Sequence, residues 1–179
     1  MTPDQVRDVL SFWFSRDPED WWKSDPAFDA EIKEHFLPLW EAERENVPEH
    51  FLGDFDSALA AVILFDQFPR NMFRGHADQF ATDPLALAIA KGAVERGLDD
   101  GMTSPRRGFL YMPFEHSEDM ADQRQSLLLF TALGDAEMLR HARNHYDVIE
   151  KFGRYPHRNA ILGRQPNAIE AAAGEVFPW

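Results

Sequence analysis

The chain has 179 residues, enough to bury a sizeable core in one domain, and it contains no cysteine, which excludes disulfides, thiolate metal sites and cysteine nucleophiles. Its 31 acidic residues outnumber 18 Lys and Arg, giving a formal net charge of -13. Nucleic-acid binding needs a basic surface, so this balance argues against it. Hydrophobic residues at 44% and aromatic residues at 13% argue against disorder.

Met1–Leu10 carries acids and lacks the apolar run of a signal peptide, and Ala58–Phe65 is far too short to span a bilayer. A cytoplasmic protein with no membrane partner is expected.

The elements read almost entirely as helix. Thr2, Pro3 and Gln5 form a good helix start, followed by the stripe Val6, Val9, Leu10 and Trp13. Asp25-Pro26 opens a second helix, with Phe28, Ile32, Phe36, Leu39 and Trp40 near one face. Asp54 caps a third, whose residues Leu59 to Leu64 are apolar enough to make it central, and Pro69 is expected to end it. Asp83-Pro84 starts a fourth, running to about Gly97. Ser104-Pro105 begins a short fifth, limited by Pro113. Ser117, with Glu118 and Asp119, starts a sixth that reaches about Leu133. Asp135 begins a seventh that ends near Gly153, and Asn167 caps a last short helix through Ala173. Strand alternation and hairpin dipeptides are nearly absent. The expected fold is all-α: seven to eight helices in stacked antiparallel pairs, forming a single domain over residues 1–179.

Charge is unevenly distributed. Residues 1–100 hold 9 basic against 21 acidic residues, whereas residues 101–179 hold 9 against 10. Within 151–165, Lys151, Arg154, Arg158 and Arg164 stand together with no acid among them. Arginine's planar fork suits bidentate pairing to carboxylate or phosphate. This loop therefore either neutralises buried carboxylates or holds an anion.

Three blocks could carry chemistry. In the first, Asp66 and Gln67 follow the apolar run, with Arg70 or Arg74 as local partners for a costly buried carboxylate. In the second, Tyr111, Glu115 and His116 precede the acids Glu118 and Asp119, which any helix start favours. A histidine between carboxylates can be tuned to move a proton. The third is the arginine loop with His157 and Asn159, preceded on the seventh helix by His141 and His145. Those two histidines, four apart, share a face that can chelate a metal, but HARNH lacks the glutamate of the HExxH signature, and no metal or cofactor is assigned.

The segments DQFPRNMFRG, YMPFEHSED and FGRYPHRNAILGR, with FWF near the start and ATDPLAL between, resemble a widespread bacterial family designated domain of unknown function 924. The resemblance runs from Leu10 to about Arg164 and implies a compact, tetratricopeptide-like all-helical fold. It implies no established activity, so enzyme status stays open. Its characteristic positions include Asp66, Arg70, Tyr111, Glu115, His116, His145, Arg154, His157, Arg158, Asn159 and Arg164.

Three readings follow. In the first, a small anionic molecule binds. Arg154, Arg158 and Arg164 hold it, with Asp66, Arg70, Tyr111, His145 and Asn159 as further ligand-binding residues. Glu115, His116 and His157 are then the catalytic candidates, His116 or His157 moving a proton while Glu115 or Asp66 orients it. In the second, a helical scaffold takes a protein or peptide partner, with Trp21 and Trp22 as its best anchors. In the third, the polar blocks form an ion network that only fixes the fold.

Overall fold

The structure, a computed structural model, describes residues 1–174. Nine α-helices account for it: α1 Pro3–Phe14, α2 Pro26–Glu43, α3 Phe55–Val62, α4 Phe68–Met72, α5 Asp83–Glu95, α6 Arg106–His116, α7 Met120–Leu133, α8 Ala136–Phe152 and α9 Ala168–Ala173. Short single-turn helices interrupt the connections, and no strand occurs among the described residues. The class is all-α, as expected.

The capping chemistry operates as read. Gln5 N–H donates to Thr2 Oγ1 at 3.3 Å, while the Gln5 side chain accepts from Thr2 N–H at 2.7 Å. Asp25, Asp54, Asp135 and Asn167 each accept backbone N–H groups that the helix itself cannot satisfy. At the sixth expected helix the cap is Asp119 rather than Ser117. Asp119 accepts from Ala121 N–H, while the Ser117 hydroxyl donates to Asp122 at 2.8 Å.

Two prolines do not act as stops. Beyond α3 the helix widens into a π-turn over Ile63–Gln67 and continues as α4 through Pro69. There Phe68 N–H reaches back five residues to Ile63 O. The wider turn accommodates a proline ring that would collide with the carbonyl of a regular α-turn. Pro113 likewise lies inside α6, which extends to His116. Phe109, Leu110, Tyr111, Met112, Phe114 and Glu115 are all buried, and that burial outweighs the roughly 3 kcal/mol of an interior proline.

The chain falls into two compact units, Met1–Pro113 and Phe114–Trp179. The first is built around aromatic rings. Trp13 meets Phe68 and Phe109 edge-on at 5.7 and 5.6 Å, and Phe36 meets Phe68 at 4.5 Å. The apolar stretch Ala58–Phe65 is wholly buried, as a central helix requires. Trp21 anchors to Trp13 O through its ring N–H, whereas Trp22 is 61% exposed and stacks flat on Phe109.

In the second unit α7 packs on α8, joined through Gly134 and Asp135 into a helical hairpin. Gly153 ends α8 at φ 71°, donating its N–H to Ile149 O, and so turns the chain into the arginine loop. A Cβ at Gly153 would meet no atom within 4 Å, so Gly153→Ala costs only the left-handed backbone. That cost is about 1 kcal/mol, to be read as a lowered urea midpoint at unchanged m-value.

Candidate functional site

The first unit contains three of the expected ligand-binding residues, and each is engaged in packing chemistry. Asp66, fully buried on the π-turn, lies 3.2 Å from Arg70 Nη1 and accepts from Gln67. Arg70 also forks onto Asp83 at 2.9 and 3.0 Å. Arg74 pairs with Asp29 instead of Asp66. The Tyr111 hydroxyl donates to Asp99, and Arg107 donates to both. Burial, then Asp99, drives the Tyr111 pKa well up, so its proton stays on. A shallow groove of about 460 Å³ runs along α1, and its Asp56 and Arg106 pair with each other at 2.6 Å.

The remaining candidates belong to the second unit, where two bidentate ion pairs absorb part of the arginine loop. Arg154 forks onto Glu170 of α9, both bonds 2.7 Å, and Asn159 adds a third contact at 3.2 Å. Arg154 foremost, against the opposing effect of burial, holds the Glu170 carboxyl down to about 2. Arg164 forks onto Glu118 at 2.7 and 3.0 Å and also donates to Asn159 Oδ1 and Tyr155 O. Glu118 accepts Tyr155 N–H as well. Burial would raise its pKa, but Arg164 and that N–H leave it below the ordinary carboxylate value. Glu118 is thus an ion-pair partner of a distant loop, beyond any preference of a helix start.

Around these pairs lies a cluster of rings and charges. His116 and His145 have ring centroids 5.9 Å apart, His145 and Tyr155 5.7 Å, and Tyr155 and His157 5.5 Å. The buried Arg158 guanidinium lies 4.4 Å from the Tyr155 ring centroid. Burial first, then the charge of Arg158, pushes the His157 pKa down to about 4. Burial first, then His116, lowers His145 to about 3. Both rings are therefore neutral near pH 7. Burial pushes the Tyr155 pKa well up, against Arg158's opposing pull.

Gln123, fully buried on α7, was not singled out by the sequence. Its amide nitrogen lies 2.6–2.8 Å from three acceptors, Glu115 O, Ser117 O and the Tyr155 hydroxyl, among which its two hydrogens are shared. Tyr155 OH also donates to Glu115 O. The C-terminal end of α6 is thereby fixed by two buried donors. A polar residue among the apolar positions of α7 was the available signal, but mid-helix glutamine is too common to single out. Glu170 likewise went unmarked.

One ligating atom from each of Glu115, His116 and His145 lies within 4.8 Å of the others. The His145 Nδ1–H donates to His141 O at 2.9 Å, so Nε2 is its lone-pair atom. The sequence pair His141/His145 is not the donor set. The His141 side chain instead meets Glu137 at 3.4 Å and Arg140 at 3.2 Å on the exposed face.

Among the described residues, no helix is long and apolar enough to cross a membrane. No functionally curated protein matches the chain. A solved structure of a protein of unknown function, ATU0120 from Agrobacterium tumefaciens, is 39% identical over 97% of this chain and 98% of its own, with a TM-score of 0.88. Residues 9–173 match the family described as bacterial protein of unknown function 924, and to that family the chain belongs.

Proposed function

We propose that the second unit binds a small anionic molecule at Arg158, with His116 and His157 as proton-transfer groups and Glu115 beside them. One observation supports this above the others: the buried Arg158 guanidinium lies against the Tyr155 ring, with two neutral imidazoles and the Glu118 carboxylate in its electrostatic reach, so titratable groups from distant segments gather at one place. A neutral imidazole whose pKa is held low keeps its lone pair near pH 7 and carries a proton only transiently, and a buried arginine supplies a directional anion fork. The loop's other arginines take a supporting part. Arg154 with Glu170 and Arg164 with Glu118 hold the loop in shape, and Asn159 links the two pairs. Asp66, Arg70 and Tyr111 stabilise the first unit.

The test is a thermal-shift panel of phosphate, sulfate, acetate, succinate and citrate, run in EDTA. A binder at about 100 times its Kd adds about 2.7 kcal/mol, which raises Tm by several degrees. Arg158→Gln, folded by circular dichroism, is expected to lose the shift. A panel with no response from the parent protein, or equal responses from the variant, overturns the proposal.

A protein-binding scaffold has narrower support. Trp22 is exposed, but its flat stacking on Phe109 already covers one ring face.

A further inference from the structure

We infer that Glu115, His116 and His145 bind a divalent transition-metal ion, forming a centre of two imidazoles and one carboxylate. The inference rests on ligand geometry and does not depend on the anion reading; with the ion bound, His116 is a ligand and proton transfer falls to His157 alone.

The three ligating atoms already lie within 4.8 Å of one another. Metal–ligand bonds of about 2.0–2.2 Å place tetrahedral donors roughly 3.3–3.6 Å apart. Rotations that move each side-chain tip by about 1 Å close that difference. The backbone at Glu115 is held in place by buried hydrogen bonds. Glu115 O accepts from Gln123 and from Tyr155, both fully buried. His145 is oriented by its Nδ1–H bond to His141 O, the outer hydrogen bond that metal-bound histidines characteristically make. That bond also fixes the tautomer that presents Nε2.

The donor chemistry narrows the ion. Two imidazoles and one carboxylate suit zinc, cobalt, nickel or iron(II). Calcium and magnesium prefer all-oxygen sets, and the chain has no thiolate to favour copper(I). Three protein donors also leave coordination positions open, the pattern of catalytic rather than structural sites. One carboxylate against a dication leaves a net positive charge. The cationic Arg158 acts on the same region, lowering the His145 pKa, while Glu118 offsets part of it. A water, hydroxide or small anion completing the metal's sphere would balance that excess.

The test uses the full chain, stripped with EDTA and dialysed into a buffer free of chelating anions. Cobalt(II) is titrated and its visible absorption followed, with zinc then competed against it by calorimetry. One equivalent of cobalt is expected, giving ligand-field bands that zinc abolishes. Glu115→Gln and His116→Ala are expected to weaken zinc by more than about 100-fold, since even outer partners are worth about 10–100-fold. His145→Ala should do the same, and the two other variants keep the test decisive where it fails to fold. His141→Ala retains the backbone carbonyl and is expected to bind as the parent does. No one-to-one binding by the folded parent overturns the inference. So does binding that survives both Glu115→Gln and His116→Ala, or that is lost equally in His141→Ala, which would assign the ion to the exposed histidine pair. An anion panel that fails in EDTA leaves the metal result standing, and the reverse holds too.

Discussion

Arg70→Ala is expected to cost the protein about 3–5 kcal/mol of stability, the range for leaving a buried charge without its partner. Arg70 bridges Asp66, which has no exposed surface, and Asp83, which it holds bidentately. Truncation leaves two carboxylates facing a space from which the cation is gone. The reverse truncation is milder. Asp66→Asn removes one anion while Arg70 keeps Asp83, and the new amide retains an oxygen toward Arg70, so about 1–2 kcal/mol is expected. Arg70→Lys recovers only part of the loss, because a point charge cannot reproduce the fork onto Asp83. Urea denaturation at constant m-value reads all three. Should Arg70→Ala unfold at the parent's midpoint, the structural role assigned to this pair is wrong, and the ligand-binding role read from the sequence returns.

Acidification is the second large effect. In EDTA, the second unit is expected to lose stability steadily as pH falls below about 6.5. His145 and His157 take up protons near pH 6.5 when unfolded, but not until about 3 and about 4 when folded. Between those values the unfolded chain holds more protons, so stability rises with pH and falls with acid. The slope is about 1.4 kcal/mol per pH unit for a histidine as buried as His145. His157 is more open to solvent and contributes a reduced share. Going from pH 7 to pH 5 is then expected to remove about 2–3 kcal/mol. Below about pH 4.5 Glu118 and Glu170, both held low by arginine partners, add to the loss in the same direction. His157→Asn should make the upper limb shallower, with His145 keeping most of the slope. A stability that is level from pH 7 to pH 5 would mean that these imidazoles are solvated.

What could be seen in the sequence divides by range. Helix starts depend on residues within three positions, so Thr2, Asp25, Asp54, Asp135 and Asn167 could be assigned from local chemistry. Helix ends at proline could not, because Pro69 and Pro113 lie in segments whose burial outweighs the local penalty. In the arginine loop the dilemma of structural pairing against ligand binding was visible, but its resolution was not. Arg164 chose Glu118, 46 residues away, and Arg154 chose Glu170 in the tail. Nothing local marks Glu170 among 31 acidic residues. The gathering of Glu115, His116 and His145 depends on how α8 lies against the end of α6, which only the folded unit specifies.

The π-turn at Ile63–Gln67 has a consequence for how this chain tolerates change. A single added residue rotates everything after it by about 100° around the helix axis. Asn71 and Arg74 now meet Asp29, while Arg70 meets Asp66 and Asp83. Deleting one residue there would restore regular hydrogen bonding and swing all three side chains off their targets. The length of the segment is therefore fixed as firmly as its buried side chains are, and an alignment gap within it would mark a relative wired differently at this corner.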